Sequence, residues 1–335
     1  RDLAAAGVGE LVNRDKKEIS VSKEKFPIFL DYKNKDDACS IFSGRVIKNV
    51  KNTKSPEWLV NKLEAIGLRS VNCLVDITNY INFDKGRPLH VYDLKKISKK
   101  VGARSSKKGE EIQALDGKNY KLDNEMCVIA DDEKVLGIGG IMGGENSGSS
   151  MSTTEIFLES AYFDPVKTAI TGRKLNIMSD SRYRFERGVD PEYVLEGLEY
   201  ATSLIIELCG GSAGEISVID NRKFVNEKIN FKPELVREMT GLKIDNKITN
   251  KILNSLGFKV SKDWEITIPS WRPDISINED IVEEVVRIYG LNNIKSEPLL
   301  NKQQPSKPIL TDEQKNLRLI RRAIASRGLL ETISY

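Results

Sequence analysis

Ile156-Phe157-Leu158-Glu159-Ser160-Ala161 is the stretch on which the fold turns. Its β-branched and aromatic opening predicts a strand over 156–158. Asp164-Pro165, just beyond it, predicts a helix with an acidic N-cap and proline at the first helical position. A strand that hands over to a helix points to a mixed α/β architecture. Glu159, at the end of the apolar run, has two readings. It is a surface acid at a strand end, or a semi-buried carboxylate that needs a partner.

Upstream, Ser40 to Val50 alternates toward a strand. Ser55-Pro56-Glu57 predicts a helix, with Ser55 as N-cap and Gly67 as the stop. Val71 to Ile77 is rich in β-formers and predicts a buried strand, which leaves Thr78-Asn79 at its end. Ile112 to Leu122 predicts a hairpin folded at Asp116-Gly117, and Met126 to Ala130 a short strand. Downstream, Asp190-Pro191-Glu192 opens the clearest helix. Val194, Leu195, Leu198, Ala201, Ile205 and Leu208 form its apolar face, and Gly210-Gly211 stops it. Residues 40–215 read as one mixed α/β domain.

A polar stretch at 219–228 separates a second module. It has a helix near Pro233 to Met239, a turn at Gly241 and a helix over Lys247 to Leu256. Two short strands around Lys262-Asp263 and a helix over Glu279 to Tyr289 complete it. That order suits a small winged-helix-like α+β domain. A linker with Pro298, Pro305 and Pro308 follows. Thr311 with Gln314 then forms a capping box that opens a basic helix up to Gly328. Residues 1–36 are polar, an appendage or part of a domain completed elsewhere. Leu329 to Tyr335 reads as a strand just beginning, so the expectation is a piece cut from a longer chain.

The 335 residues fit two or three domains. With 52 basic against 49 acidic residues the net charge is only +3, so nucleic-acid contact must come from local patches. The longest apolar runs fall far short of a membrane span, and no signal-peptide pattern opens the chain. Cys39, Cys73, Cys127 and Cys209 lack CxxC spacing, and there is one histidine, which disfavours a zinc site and suits buried, reduced thiols.

That histidine, His90, lies in Gly86-Arg87-Pro88-Leu89-His90-Val91-Tyr92-Asp93. Pro88 forces Arg87 out of helical geometry, which places His90 on a loop or strand start. A lone histidine is more often structural. Yet Thr78, Asn79 and His90 offer a hydroxyl, an amide and an imidazole that together orient a water or polar substrate. The run from Gly137 to Gly144 lacks both the Walker loop and the strand–GxGxxG–helix context, so it is a tight turn or a ligand cradle. Ser179 to Gly188 interleaves arginines with aromatics, which suits phosphate and base contact or an ordinary ion-pair network. Asp280, Glu283 and Glu284 fall on one helix face, with Asp274 on the loop before. They are candidate Mg²⁺ ligands or helix-dipole and Arg287 partners.

Taken together these strings resemble the phenylalanyl-tRNA synthetase beta-subunit family of bacteria. The matching segments, in order, are Val75 to Tyr80, Gly86 to Leu94, Gly139 to Glu145, Leu158 to Phe163, Tyr183 to Pro191, and Pro269 to Asp274 with its helix to Gly290. The resemblance implies an α+β multidomain chain. Its parts are a partial N-terminal appendage (1–37), a tRNA editing domain (38–215), a small winged-helix-like domain (216–297), and a linker with the start of an inactive class II synthetase-like core (298–335).

It implies hydrolysis of tyrosine wrongly esterified to tRNA-Phe, with His90, Thr78, Asn79 and Gly143 lining the pocket. Glu159 accepts the tyrosine hydroxyl, and Ala161, Ser179 and Ser181 shape the site. Asp274, Asp280, Glu283 and Glu284 match magnesium-associated positions shared with an alpha subunit. Partners are that subunit, in a heterotetramer of two alpha and two beta, and tRNA-Phe. ATP is used by the holoenzyme and not bound here, and the location is cytoplasmic. A rival reading is a tRNA-docking and assembly scaffold without editing. A free-standing hydrolase is disfavoured by residues 230–335.

The physical logic runs the same way. An apolar synthetic pocket rejects an added hydroxyl only on the order of a hundredfold. A second site should therefore demand that hydroxyl, and a buried Glu159 would do so.

Overall fold

Cys39–Lys48 and Glu155–Phe163 pair antiparallel along nearly their whole length and are buried on both faces. This explains why 156–161 reads as a continuous apolar run instead of an alternation. In the computed structural model the described residues are 1–12, 18–32, 37–222, 227–296 and 308–333. Residues 1–291 form one unit and residues 292–335 another.

The first unit opens with α1 (Asp2–Ala5), β1 (Ile28–Leu30), β2 (Cys39–Lys48), α2 (Glu57–Glu64), α3 (Cys73–Lys85) and β3 (His90–Asp93). It continues with β4 (Val101–Ser105), β5 (Glu111–Gln113), β6 (Asn119–Lys121), β7 (Cys127–Ala130), β8 (Val135–Ile138) and β9 (Met142–Gly143). Next come β10 (Glu155–Phe163), α4 (Pro165–Lys174), α5 (Asp180–Phe185), α6 (Tyr193–Cys209), β11 (Ser212–Ala213) and β12 (Ser217–Asp220). One sheet runs β11–β2–β10–β3, with β12 also on β2. A second runs β1–β4–β7–β8–β9.

Strand alternation sorts the side chains of β10 into two cores. Phe157, Ala161 and Phe163 join Phe42, Tyr92, Ala103 and Ile129 between the sheets. Ile156 and Leu158 face the other way, against Leu74 and Ile77 of α3 and Leu198, Ala201 and Ile205 of α6. The hairpin β5–β6 forms at Asp116-Gly117 as expected and packs Ile112 against Val128 and Ile138.

Two local expectations fail. The strand expected over Val71 to Ile77 is the first half of α3. Asn72 caps it by accepting from the Val75 amide, and Gly86 ends it at φ +64°. Cys73, Leu74, Ile77, Tyr80 and Ile81 are all buried, so this helix is apolar over a wide arc. Over seven residues such a helix cannot be told from a buried strand. Ser55 does not cap α2, whose N-cap is Pro56. Its hydroxyl instead donates to Asp76, which also accepts from Ser70 and the Val71 amide.

The described residues of 1–36, expected as an appendage or part of a domain completed elsewhere, join the first unit. Ile28–Leu30 pairs parallel with Val101–Ala103, and the Ser22 amide donates to the Ala213 carbonyl. Arg1 lies 3.5 Å over the Trp271 ring, and Ala5 packs against the second core described next.

That core belongs to β13 (Lys228–Asn230), α7 (Glu234–Thr240), α8 (Asn246–Leu256), β14 (Lys259–Val260), β15 (Glu265–Thr267) and α9 (Asn278–Tyr289). The sheet order is β13–β15–β14, and Phe231, Leu253, Phe258, Ile266, Ile281 and Val285 fill the interior. The helices and hairpin fall where expected. β13 is additional, starting at the edge of the supposed polar linker.

In the second unit, α10 (Asp312–Ala325) is opened by the Thr311–Gln314 capping box. Leu329 to Ile333 is irregular, so the strand expected at this end does not form among the described residues. Pro298, Pro305, Ser334 and Tyr335 lie outside them. Among the described residues no helix is long and apolar enough to cross a membrane.

Candidate active site

α3, β3, the turn between β8 and β9, β10 and α5 enclose a cavity of about 500 Å³. Thr78, Asn79, His90, Gly143, Glu159, Ser179 and Ser181 all line it. Ala161 does not. It is buried among core side chains, and its carbonyl accepts from Arg87.

Each residue arrives by a local rule. Thr78 and Asn79 sit mid-helix on α3, not at a strand end. The Thr78 hydroxyl donates back to the Val75 carbonyl at 2.8 Å. His90 opens β3 directly opposite Glu159 of β10, and Tyr92 is two residues on, facing the same way. The His90 and Tyr92 rings meet edge to face at 4.4 Å. A Cβ on Gly143 would lie 2.4 Å from His90 Cε1, so only glycine lets the turn come this close to the imidazole. Gly140, at φ +69°, makes the same turn possible in backbone terms. The Ser179 hydroxyl donates to the Ile141 carbonyl at 2.6 Å and that of Ser181 to the Gly140 carbonyl at 3.1 Å. These serines clasp α5 to the glycine-rich turn.

Glu159 is 6 % exposed and takes its side-chain hydrogen bond from the Tyr92 hydroxyl, at 2.7 Å on Oε2. Burial pushes its carboxyl up to about 7, and the Tyr92 bond pulls the other way. Burial also holds the His90 imidazole down to about 4. His90 is therefore neutral at pH 7, and its Nε2 is buried without a partner, as is Asn82 Oδ1 of α3. Among the described residues no cation meets this carboxylate, and a pocket with such a group and unpaired polar atoms can accept polar groups from outside.

Sequence reading missed Tyr92 and Asn82. The His90-x-Tyr92 spacing on a strand was the available signal for Tyr92. Asn82 fell outside the segment treated as structured, because α3 was read as a strand ending at Ile77.

The acidic set does not converge. Glu284, 4 % exposed, accepts from Arg272 at 2.8 and 3.0 Å and from Arg287 at 2.6 Å. Burial is the largest single effect and raises its carboxyl, but the two guanidiniums together outweigh it and hold the carboxyl below the usual range. Asp274 is held by Arg272 at 2.6 Å. Asp280 caps α9, accepting from the Ser276 and Ile277 amides. Glu283 is exposed. Among the described residues no group of three or more His, Cys, Asp or Glu could hold a metal ion. As arranged, the four acids do not fit Mg²⁺.

Arg184, 4.2 Å over Phe83, and Arg187, 3.7 Å over Tyr183, satisfy the arginine–aromatic pattern within the chain. The four cysteines are free and buried, as expected.

Residues 38–210 match the B3/4 domain model, and residues 229–291 the tRNA synthetase B5 domain. The phenylalanine–tRNA ligase beta subunits of Paramagnetospirillum magneticum and Rhodopseudomonas palustris are 44% and 45% identical over 340 residues. The match covers all of this chain and 42% of each relative, so the chain spans less than half their length. An N-terminal fragment of the Pyrococcus horikoshii phenylalanyl-tRNA synthetase beta subunit superposes with TM-score 0.41 at 15% identity, covering 85% of this chain and 79% of that one, a likeness too distant to argue from.

Proposed function

The chain belongs to the B3/4-domain family and is similar along its whole length to phenylalanine–tRNA ligase beta subunits, and from that premise we propose that it hydrolyses tyrosine misattached to tRNA-Phe. The observation that carries the reading is Glu159. It is a buried carboxylate in a cavity with His90, Thr78 and Asn79, bonded by a neutral phenol and by no cation among the described residues.

The chemistry follows from these groups. The tyrosyl side chain enters with its hydroxyl donating to Glu159. Phenylalanine in the same place would leave the carboxylate without that donor, which costs about 1–3 kcal/mol or more for a charged group. Thr78, Asn79 and His90 hold the ester end and the attacking water. The water oxygen bonds to the ester carbon, the bond to the ribose oxygen breaks, and that oxygen leaves with a proton. A neutral imidazole at about 4 is a weak base, so His90 serves to position more than to abstract. An ester is already activated, and no nucleophilic triad is needed.

The same reading takes 38–215 as the editing domain, 216–297 as a winged-helix-like domain and 298–335 as the linker and start of an inactive class II core. An alpha subunit, tRNA-Phe and a cytoplasmic location come with it, as do ATP and Mg²⁺ for the holoenzyme. No step is assigned to Mg²⁺ on this chain.

The test is deacylation by the intact beta subunit with its alpha partner. Tyr-tRNA-Phe should be hydrolysed and Phe-tRNA-Phe spared. Equal rates on both would refute the reading and favour an assembly scaffold.

A further inference from the structure

Tyr92 stands beside the specificity carboxylate in a way the proposed reaction has not yet used. Its hydroxyl reaches Glu159 Oε2 at 2.7 Å, and its ring meets the His90 ring at 4.4 Å. At 1 % exposure, packed also near Phe157 at 6.5 Å between ring centroids, it has little freedom to move. A phenol has one proton to give, and a carboxylate has room for about four donors. Tyr92 spends its proton on one oxygen. It thereby fixes the plane of the carboxylate and leaves the second oxygen for another donor.

We infer that Tyr92 is the positioning residue that sets the selectivity of the site. Its phenol is a built-in half of a two-phenol clamp on Glu159, which a tyrosyl ligand completes. This rests on the editing reading above and names the residue that makes its recognition work. A fixed ionised carboxylate accepts a charge-assisted bond from the incoming phenol, about twice as strong as a neutral one. Without Tyr92 the buried carboxyl would be held mainly by a proton, and its bond to a ligand phenol would be an ordinary neutral one. The other titratable groups around Glu159 are His90 from β3, Cys39 from β2 and Cys127 from β7. Burial raises both thiols, so neither offers charge to replace Tyr92.

The experiment is Tyr92→Phe in the intact alpha–beta complex, assayed on Tyr-tRNA-Phe and Phe-tRNA-Phe across pH 5.5–8.5. The preference of kcat/KM for tyrosine should fall about tenfold, through the tyrosyl substrate alone. The pH at which the remaining preference is half lost should move up, because the bond that favours the ionised carboxyl is gone.

A merely structural role, buttressing His90, would slow both substrates alike and leave the midpoint in place. That result would overturn the inference, as would a preference kept within twofold. A preference that rises would make Tyr92 a competitor for the carboxylate and overturn it too. If the unsubstituted complex shows no preference, the editing reading fails first, and the inference falls with it. Thermal melting of the variant complex within a few degrees of the parent certifies that the comparison is between folded enzymes.

Discussion

Glu159 and Glu284 are two carboxylates buried to nearly the same degree, 6 % and 4 % exposed, and their surroundings are opposite. Glu284 lies between two guanidiniums, and its charge is met within the chain. Glu159 has one phenol and, among the described residues, no cation. A neutralised acid holds the fold together. An acid left short of donors in a cavity is destabilising until something enters with a proton to share. The difference lies in what meets the charge, and it agrees with the reading of the α9 acids as ion-pair and helix-dipole partners.

Substitutions can break that contrast. The largest effect belongs to Glu284→Ala, which leaves Arg272 and Arg287 facing each other over a vacated, buried site. It should cost about 3–4 kcal/mol, read by urea or thermal melting. A loss below about 1 kcal/mol would mean that the arginines are well served by solvent, and that Glu284 is as free for a ligand as Glu159.

Glu159→Gln comes next, with the opposite sign. The carboxyl titrates near 7 in the fold against 4.5 ordinarily. Its protonated form thus contributes stability that is fully present below about 4.5 and lost as pH rises through about 7. Glutamine loses nothing over that window. The variant should therefore gain on the parent by about 2–3 kcal/mol between pH 4.5 and 8. His90 runs the other way. Held near 4 instead of 6.5, it contributes stability above 6.5 that is lost as pH falls through 4. The parent curve is the difference of the two, and the variant exposes the histidine share.

Gly143→Ala leaves both charges alone and crowds the imidazole, since a Cβ would lie 2.6 Å from His90 Nε2. Deacylation should drop about tenfold, equivalent to about 1.4 kcal/mol, with little change in the tyrosine preference. A change in preference instead would show that the glycine turn and Glu159 act on the same part of the substrate. The smallest effect is that of Asp274→Ala. Its side chain is 59% exposed, and its pairing with Arg272 should be worth less than about 1 kcal/mol in melting experiments.

Much of the local structure was legible in short stretches of sequence. The proline-opened helix at Asp164-Pro165, the hairpin at Asp116-Gly117 and the capping box at Thr311 carry their geometry in two to four residues, and the helix announced by Asp190-Pro191 starts just beyond it at Tyr193. α3 was not legible in the same way. Its Cys73, Leu74, Ile77, Tyr80 and Ile81 all face the core shared with α6, and its first seven residues read as well for a buried strand as for a helix. The decisive marks were Asn72 and Gly86 at its ends, a cap and a left-handed stop with a helix-length interval between them.

The lining of the cavity was named from motifs, and the fold brings most of those residues together. Ala161 shares the Glu159 face of β10 but lies two residues farther along, packed in the sheet-to-sheet core and outside the cavity lining. The His90-x-Tyr92 spacing puts Tyr92 on the His90 face of a strand, but its partner is an acid 67 positions away that the spacing alone does not identify. Of the two readings of the acids on α9, the ion-pair one describes Glu284, whose partners are Arg287 on the same helix and Arg272 from the loop before it, which a shared helix face does not reveal.

The central claim is that Glu159 waits for a phenol. The most direct measurement is the ratio of Tyr-tRNA-Phe to Phe-tRNA-Phe deacylation by the intact alpha–beta complex, with glutamate or glutamine at position 159. The account predicts a parent preference for tyrosine of at least about tenfold that falls to near unity in Glu159→Gln, while hydrolysis of the phenylalanyl ester does not slow. A preference that survives the substitution would place tyrosine recognition elsewhere and contradict it.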